Sequence, residues 1–192
     1  EVEQLTINPA DYAYEITKTG KRDDSVVNHR IHRQKQEGLY YVEYHPVGGD
    51  ANVANLLAAL DYAVTLDQVE ARIAPDQSLY FINLTADEAR KIANLTDDSA
   101  INEFRRSVSC VGSTVCQIGI QDSNGLLKAI FKHLEEKGID TRKLPRLHIS
   151  GCPHSCGTHQ IGEIGFHGSV KLVDKKPTTS FMLVDGGSEH MG

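Results

Sequence analysis

The chain has 192 residues, a formal net charge of -6, 40% hydrophobic and 24% charged residues. That is enough for one domain or two small ones with an ordinary buried core. The acidic balance argues against a nucleic-acid-binding protein, and no run of 18 apolar residues is present that could form a membrane-spanning helix.

Residues 1–37 are polar and weakly patterned, with a small basic run at Arg30, His32, Arg33 and Lys35. This reads as a solvated linker arm. Residues 39–44 are aromatic and β-branched and predict a strand, broken at Gly48-Gly49-Asp50. Val53, Leu56, Leu57, Leu60 and Val64 recur at helical spacing and predict a helix over 52–65 with one apolar face. Strands follow over 69–74, ended by Pro75, and over 79–84. Thr85-Ala86-Asp87-Glu88 is a capping box opening a helix to about Leu95. The order strand, helix, strand, strand, helix is close to half of a ferredoxin-like fold.

Residues 97–102 form a polar boundary, and a second unit begins near Phe104. Asp122 or Ser123 caps a helix that carries Leu126, Leu127, Ile130, Phe131 and Leu134 on one face and ends at Gly138. Strands are expected over 145–149, 161–166, 169–173 and 180–184. The fold class is therefore α+β. The chain opens on Glu1, and Met182 and Met191 are its only methionines, so it reads as an internal piece of a longer protein. No apolar leader is visible, which makes reducing cytoplasm the expected compartment.

The cysteines form two loop pairs: Cys110 and Cys116, with five residues between them, and Cys152 and Cys156, with three. Three chemistries could use such a set: a 4Fe-4S cluster, a structural zinc or two disulfides. Zinc sites favour two to four intervening residues, which suits the second pair and not the first. Disulfides sit poorly with a chain lacking a secretory leader. A five-residue loop can open around the larger core of a cluster. Gly112, Gly151 and Gly157 would let backbone N–H groups approach cluster sulfurs.

The flanking residues carry a resemblance. Cys110-Val-Gly-Ser-Thr-Val-Cys116, then Gly151-Cys152-Pro153-His154-Ser155-Cys156-Gly157, then Gln160-Ile161-Gly162-Glu163-Ile164-Gly165-Phe166-His167-Gly168, resembles the 4Fe-4S half of the sirohaem nitrite and sulfite reductases. Asn28 to Val42 resembles the start of the second ferredoxin-like half-domain of the nitrite enzymes. The resemblance implies a linker arm over 1–37, a ferredoxin-like half-domain over 38–97, and a truncated cluster and sirohaem domain over 98–192. It implies that Cys110, Cys116, Cys152 and Cys156 bind the cluster, with Cys156 bridging to the sirohaem iron. It also implies a six-electron reduction of nitrite to ammonia, or of sulfite to sulfide. The expected partners are a one-electron donor such as ferredoxin and the missing N-terminal half of the same protein.

Gln77 falls where the family often has a cofactor-contacting Gln, although its usual Asn neighbour is Ser78 here. His154 replaces a common Asn, and Gly49 replaces a basic residue. His154, His159 and His167 are expected to make local hydrogen bonds. Tyr40, Tyr44 and Tyr80 are expected on an open sheet face that the missing half would cover. The alternatives are an electron-transfer protein carrying the cluster alone, or a zinc-binding interaction module.

Overall fold

The structure, a computed structural model, describes residues 15–188. Residues 1–14 of the expected arm and residues 189–192 of the expected cluster domain lie outside them. Two four-stranded sheets organise the rest. The first contains β1 (Ile31–Arg33), β2 (Tyr40–Tyr44), β3 (Glu70–Ile73) and β4 (Leu79–Leu84), antiparallel throughout in the order β1-β2-β4-β3. Helices α1 (Val53–Ala63) and α2 (Ala86–Leu95) supply its core-side cover. Asn52 caps α1 by accepting from the N–H groups of Ala54 and Asn55, and the Thr85–Glu88 capping box closes the start of α2.

The period-2 alternation of β2 decides which tyrosines are buried. Tyr40, Val42 and Tyr44 share the core with Phe81, Ala89 and Ile92, and both tyrosines are 1% exposed. The expectation that Tyr40 and Tyr44 lie on an open face is therefore wrong. Their hydroxyls find partners at the core's edge: Tyr40 accepts from the Asp23 N–H at 2.8 Å, and Tyr44 donates to Asp98 at 2.7 Å. Tyr80 is half-buried, as an open-face residue should be, and packs against Tyr41, which stacks on His32. The apolar stripe expected on α1 is also split. Val53, Leu57 and Val64 are exposed, while the small residues Ala59 and Ala63 are buried in the same cluster as Ala89 of α2.

The basic run in the arm is only partly solvated: Arg33 and Lys35 are exposed, whereas Arg30 and His32 are half-buried. β1 pairs with β2, Ile31 opposite Val42, and so forms the sheet's edge. Arg30 donates to the Ala93 carbonyl and to the Thr96 hydroxyl. Lys18 pairs with Glu88 at 2.7 Å, and Arg90 with Asp23.

The second sheet contains β5 (Val108–Ser109), β6 (Leu147–Ser150), β7 (Ile164–Val173) and β8 (Lys176–Asp185), in that order. β5, β6 and β7 are parallel, and β8 returns antiparallel to β7. Helix α3 (Ser123–Glu136) covers it through Leu127 and Phe131, packed with Phe104, Leu147 and Ile149. Asp122 caps α3 by accepting from the Gly125 N–H at 2.8 Å. The two strands expected over 161–166 and 169–173 are one. Gly168 does not break β7; a Cβ there would lie 2.1 Å from the Gly151 carbonyl oxygen, so glycine permits a close approach. The turn comes instead at Asp174-Lys175. Their φ values of 52° and 62° suit a two-residue hairpin that follows the strand twist. Among the described residues, no helix is long and apolar enough to cross a membrane.

A buried polar network joins the two units. Arg106, from the second unit, pairs with Glu43 of β2, with Asp76 at 3.5 Å and with Glu103 at 3.1 Å. Arg146 adds a second cation beside Glu103 and Asp76. The Ser78 hydroxyl donates to Glu43 at 3.3 Å and lies 2.9 Å from His45 Nδ1. A carboxylate only accepts, so the Ser78 proton goes to Glu43 and His45 Nδ1–H donates to Ser78. Burial, and then Arg106, push the His45 pKa down to about 4.

Two outcomes follow for stability. Arg106→Met leaves Glu43 buried without its cation and should cost about 3–5 kcal/mol by urea denaturation. His45 stays neutral in the folded chain to about pH 4, whereas the unfolded histidine protonates near the ordinary imidazole value of 6.5. The unfolded state therefore binds the proton first as pH falls. Stability should be complete above pH 6.5 and decline towards pH 4, by about 3 kcal/mol for this group. His45→Gln should flatten that decline; an unchanged pH dependence would remove His45 as its source.

Candidate metal centre

Two parallel neighbours bring the cysteines together. Cys110 directly follows β5, and Cys152 lies two residues beyond the end of β6. Strands that run side by side in one direction deliver both loops to the same end of the sheet, the end where open parallel sheets place their ligands. Backbone bonds then tie the loops to each other. The Cys110 N–H donates to the Ile149 carbonyl at 3.0 Å, and the N–H groups of Ile120 and Gln121 both donate to the Gly151 carbonyl at 2.9 Å. The first loop is braced internally by Cys116 N–H to Gly112 and Ser113 N–H to Gln121.

The sulfurs sit in a graded environment. Cys152 is buried, Cys110 and Cys116 are half-buried, and Cys156 is exposed. Gly151 N–H donates to Cys110 Sγ at 3.1 Å, the amide-to-sulfur contact expected of the loop glycines. A Cβ on Gly151 would lie 2.7 Å from the Gln121 carbonyl oxygen, so glycine is required for the loops to close. Gly112 and Gly157 serve differently: both allow tight backbone packing, and the Gly157 N–H goes to the Ser150 hydroxyl at 3.0 Å. Ser123 Oγ donates to the Cys110 carbonyl at 2.7 Å and lies 3.1 Å from Cys110 Sγ.

The histidines make local contacts, as expected. His154 Nδ1 lies 3.4 Å from Cys152 Sγ. His159 Nδ1 lies 3.0 Å from Ser150 Oγ, and its ring packs on that of His167. Gln77 sits at φ 67° and grips the strand that leads to Cys110. Its Nε2 donates to the Ser109 carbonyl at 2.7 Å, and its Oε1 accepts from the Ser109 N–H at 3.4 Å. One amide proton and one acceptor lone pair remain. Gly49 packs against that side chain, 3.1 Å from Gln77 Nε2 to its ideal Cβ position. Sequence reading missed Ser123 and Ser150. The latter's place immediately before Gly151-Cys152 was the available signal.

The spacing of the thiols bears on the metal. A closed tetrahedral zinc site holds its sulfurs about 3.8 Å apart, from Zn–S bonds near 2.3 Å. Among the described residues, no three of the thiols gather within 4.8 Å of one another; the group that does is Glu43, His45 and Asp76. Two of these three, Glu43 and Asp76, already pair with the Arg106 guanidinium. The Gly151 N–H aimed at Cys110 Sγ is the kind of contact that tunes a thiolate-bound cluster. Residues 107–121 and 147–162 contain no Asp, Glu, Lys or Arg.

No protein-family model matches the chain. Individual proteins do. The ferredoxin–nitrite reductase of Synechococcus elongatus is 30% identical over 174 residues, 84% of this chain and 33% of that protein. The chloroplastic ferredoxin–nitrite reductase of Betula pendula is 31% identical over 178 residues, 84% of this chain and 30% of that protein. The sulfite reductase [NADPH] hemoprotein beta-component of Bacillus licheniformis is 29% identical over 112 residues, 53% of this chain and 19% of that protein. In three dimensions, the NirA protein of Mycobacterium tuberculosis superposes with a TM-score of 0.69 at 24% identity, covering 84% of this chain and 32% of that one, a likeness of fold. With the α+β architecture and the paired cysteine loops in place, these relatives show that the chain belongs to the nitrite and sulfite reductase family and spans about a third of the members it matches.

Proposed function

We propose that this chain is the cluster-bearing part of an enzyme that reduces nitrite to ammonia, or sulfite to sulfide, in six one-electron steps. The observation that carries the reading is the pair of cysteine loops hydrogen-bonded together at one end of adjacent parallel strands, with an amide aimed at Cys110 Sγ. On this reading a 4Fe-4S cluster supplies one-electron transfer and a sirohaem supplies the iron that takes up the anion. Cys110, Cys116 and Cys152 hold the cluster within the domain. Cys156, whose thiol is exposed, is assigned as the ligand shared with the second cofactor. Gln77 fixes the approach to Cys110 and keeps one donor and one acceptor for a cofactor edge.

Proton and anion handling is assigned to the remainder of the polypeptide, because both cysteine loops are free of charged residues. We assign residues 38–97, with the edge strand β1 added to their sheet, to the ferredoxin-like half-domain, and the described residues from 98 on to the cluster domain. A ferredoxin-type donor is the proposed electron source, by analogy with the named relatives. Four thiols without disulfide partners suit a reducing compartment such as cytoplasm.

Full-length protein purified without oxygen should carry about four iron and about four acid-labile sulfides per chain. Cys116→Ser should lose most of both. Cys156→Ser should instead weaken the magnetic coupling between the two cofactors. About one zinc per chain and no sulfide would replace this reading with the zinc-binding module.

A further inference from the structure

The cysteine loop that ends in Cys156 is held in an unfavourable backbone conformation. Ser155 and Thr158 have φ values of 60° and 52°, in the region that favours glycine, and they bracket Cys156 and Gly157. Such a turn persists only when its surroundings hold it. Thr158 N–H donates to the Ser155 carbonyl at 2.8 Å, and Thr158 Oγ1 lies 2.8 Å from His148 Nδ1. Between the two strained residues, the Gly157 N–H donates to Ser150 Oγ at 3.0 Å.

Ser150 is the last residue of β6 and is 1% exposed. Its hydroxyl has one proton and accepts from Gly157. His159 Nδ1, at 3.0 Å, is the partner left for that proton among the described residues. The geometry therefore sets His159 as the Nε2–H tautomer, with its Nδ1 lone pair receiving the serine proton. His159 is 4% exposed, and its ring packs on that of His167 of β7, with centroids 4.7 Å and planes 32° apart. The His159 backbone is fixed as well: a Cβ on Gly165 would lie 2.1 Å from the His159 carbonyl oxygen. Burial, and then His167, lower the His159 pKa and favour the neutral ring.

We propose that His159 is a positioning residue for Cys156: it orients the Ser150 hydroxyl, and Ser150 in turn fixes the Gly157 amide that sets the direction of the Cys156 thiol. His159 touches neither the thiol nor a cofactor. The proposal rests on the cluster reading only for what Cys156 then does; the Ser150 link stands without it.

The test uses the full-length protein and two kinds of readout. The first needs no cofactor. Nitrogen chemical shifts should identify wild-type His159 as the Nε2–H tautomer. The Gly157 amide should exchange about tenfold faster with solvent in His159→Phe and in Ser150→Ala, the worth of one ordinary hydrogen bond. His159→Asn offers a carbonyl oxygen near the position of Nδ1 and should restore the protection. The second readout is the electron paramagnetic resonance of anoxically purified protein. His159→Phe should alter the cluster signal with iron content unchanged, and His159→Asn should return it. An Nδ1–H tautomer in the wild type would overturn the proposal even if His159→Phe fails to fold. Unchanged Gly157 exchange in a folded Ser150→Ala would overturn it equally. Wild-type protein without iron, in which Gly157 exchange still responds to His159, would sink the cluster reading and leave this link in place.

Discussion

The parallel pairing of β5 with β6 is the constraint on which the site depends. Each strand is short, two and four residues, and each ends at a cysteine loop. Because the strands run together, the loops emerge side by side, and the Gly151 carbonyl can take two amides from the opposite loop while the Gly151 amide reaches Cys110 Sγ. An antiparallel pair would have sent the loops to opposite ends of the sheet. Parallel strands need a long crossover. Here α3 makes the return from the first loop to β6, and its own cap, Asp122, stands next to the Ser123 hydroxyl that touches Cys110.

The chain separates its electrostatics by place. One network of charged groups lies at the junction of the two units, where Arg106 and Arg146 face Glu43, Asp76 and Glu103. The cysteine loops contain none. A charged side chain near a set of thiolates would bias their protonation and the potential of anything bound to them. Fixed backbone dipoles do the same work with less reorganisation, because a hydrogen-bonded loop cannot turn away. The junction holds the two units together through groups whose burial depends on mutual pairing.

How much of this was legible in the residues depended on whether the signal was local. The Thr85–Glu88 capping box, the Asp122 cap and the Gly138 stop are local, and all three appear where the residues place them. The cysteine pairs with their glycines are local too, and they carried the family resemblance. What failed depended on the tertiary environment. Tyr40 and Tyr44 read as open-face residues because tyrosine tolerates partial exposure; only the register of β2 against the helices puts them inside. The α1 stripe was right in part: Leu56 and Leu60 pack against the core beside the buried Ala59 and Ala63, whereas Leu57 and Val64 are exposed. The basic run at 30–35 looked solvated since nothing local says that a three-residue segment will find an edge strand, or that Arg30 will reach the end of α2.

Gln77 carries the last step, because it makes the first unit part of the second unit's site. Its amide grips both backbone polar groups of Ser109, one residue before Cys110, from a turn between β3 and β4 of the other sheet. Glu43 and Ser78, on the same side of that sheet, hold the Arg106 network two residues before β5 begins. The strand that delivers Cys110 is thus clamped from the first unit at both of its ends. A two-residue strand has too few bonds of its own to hold a ligand in place. The half-ferredoxin unit supplies that rigidity, which gives a physical reason for the two units to travel together in one chain.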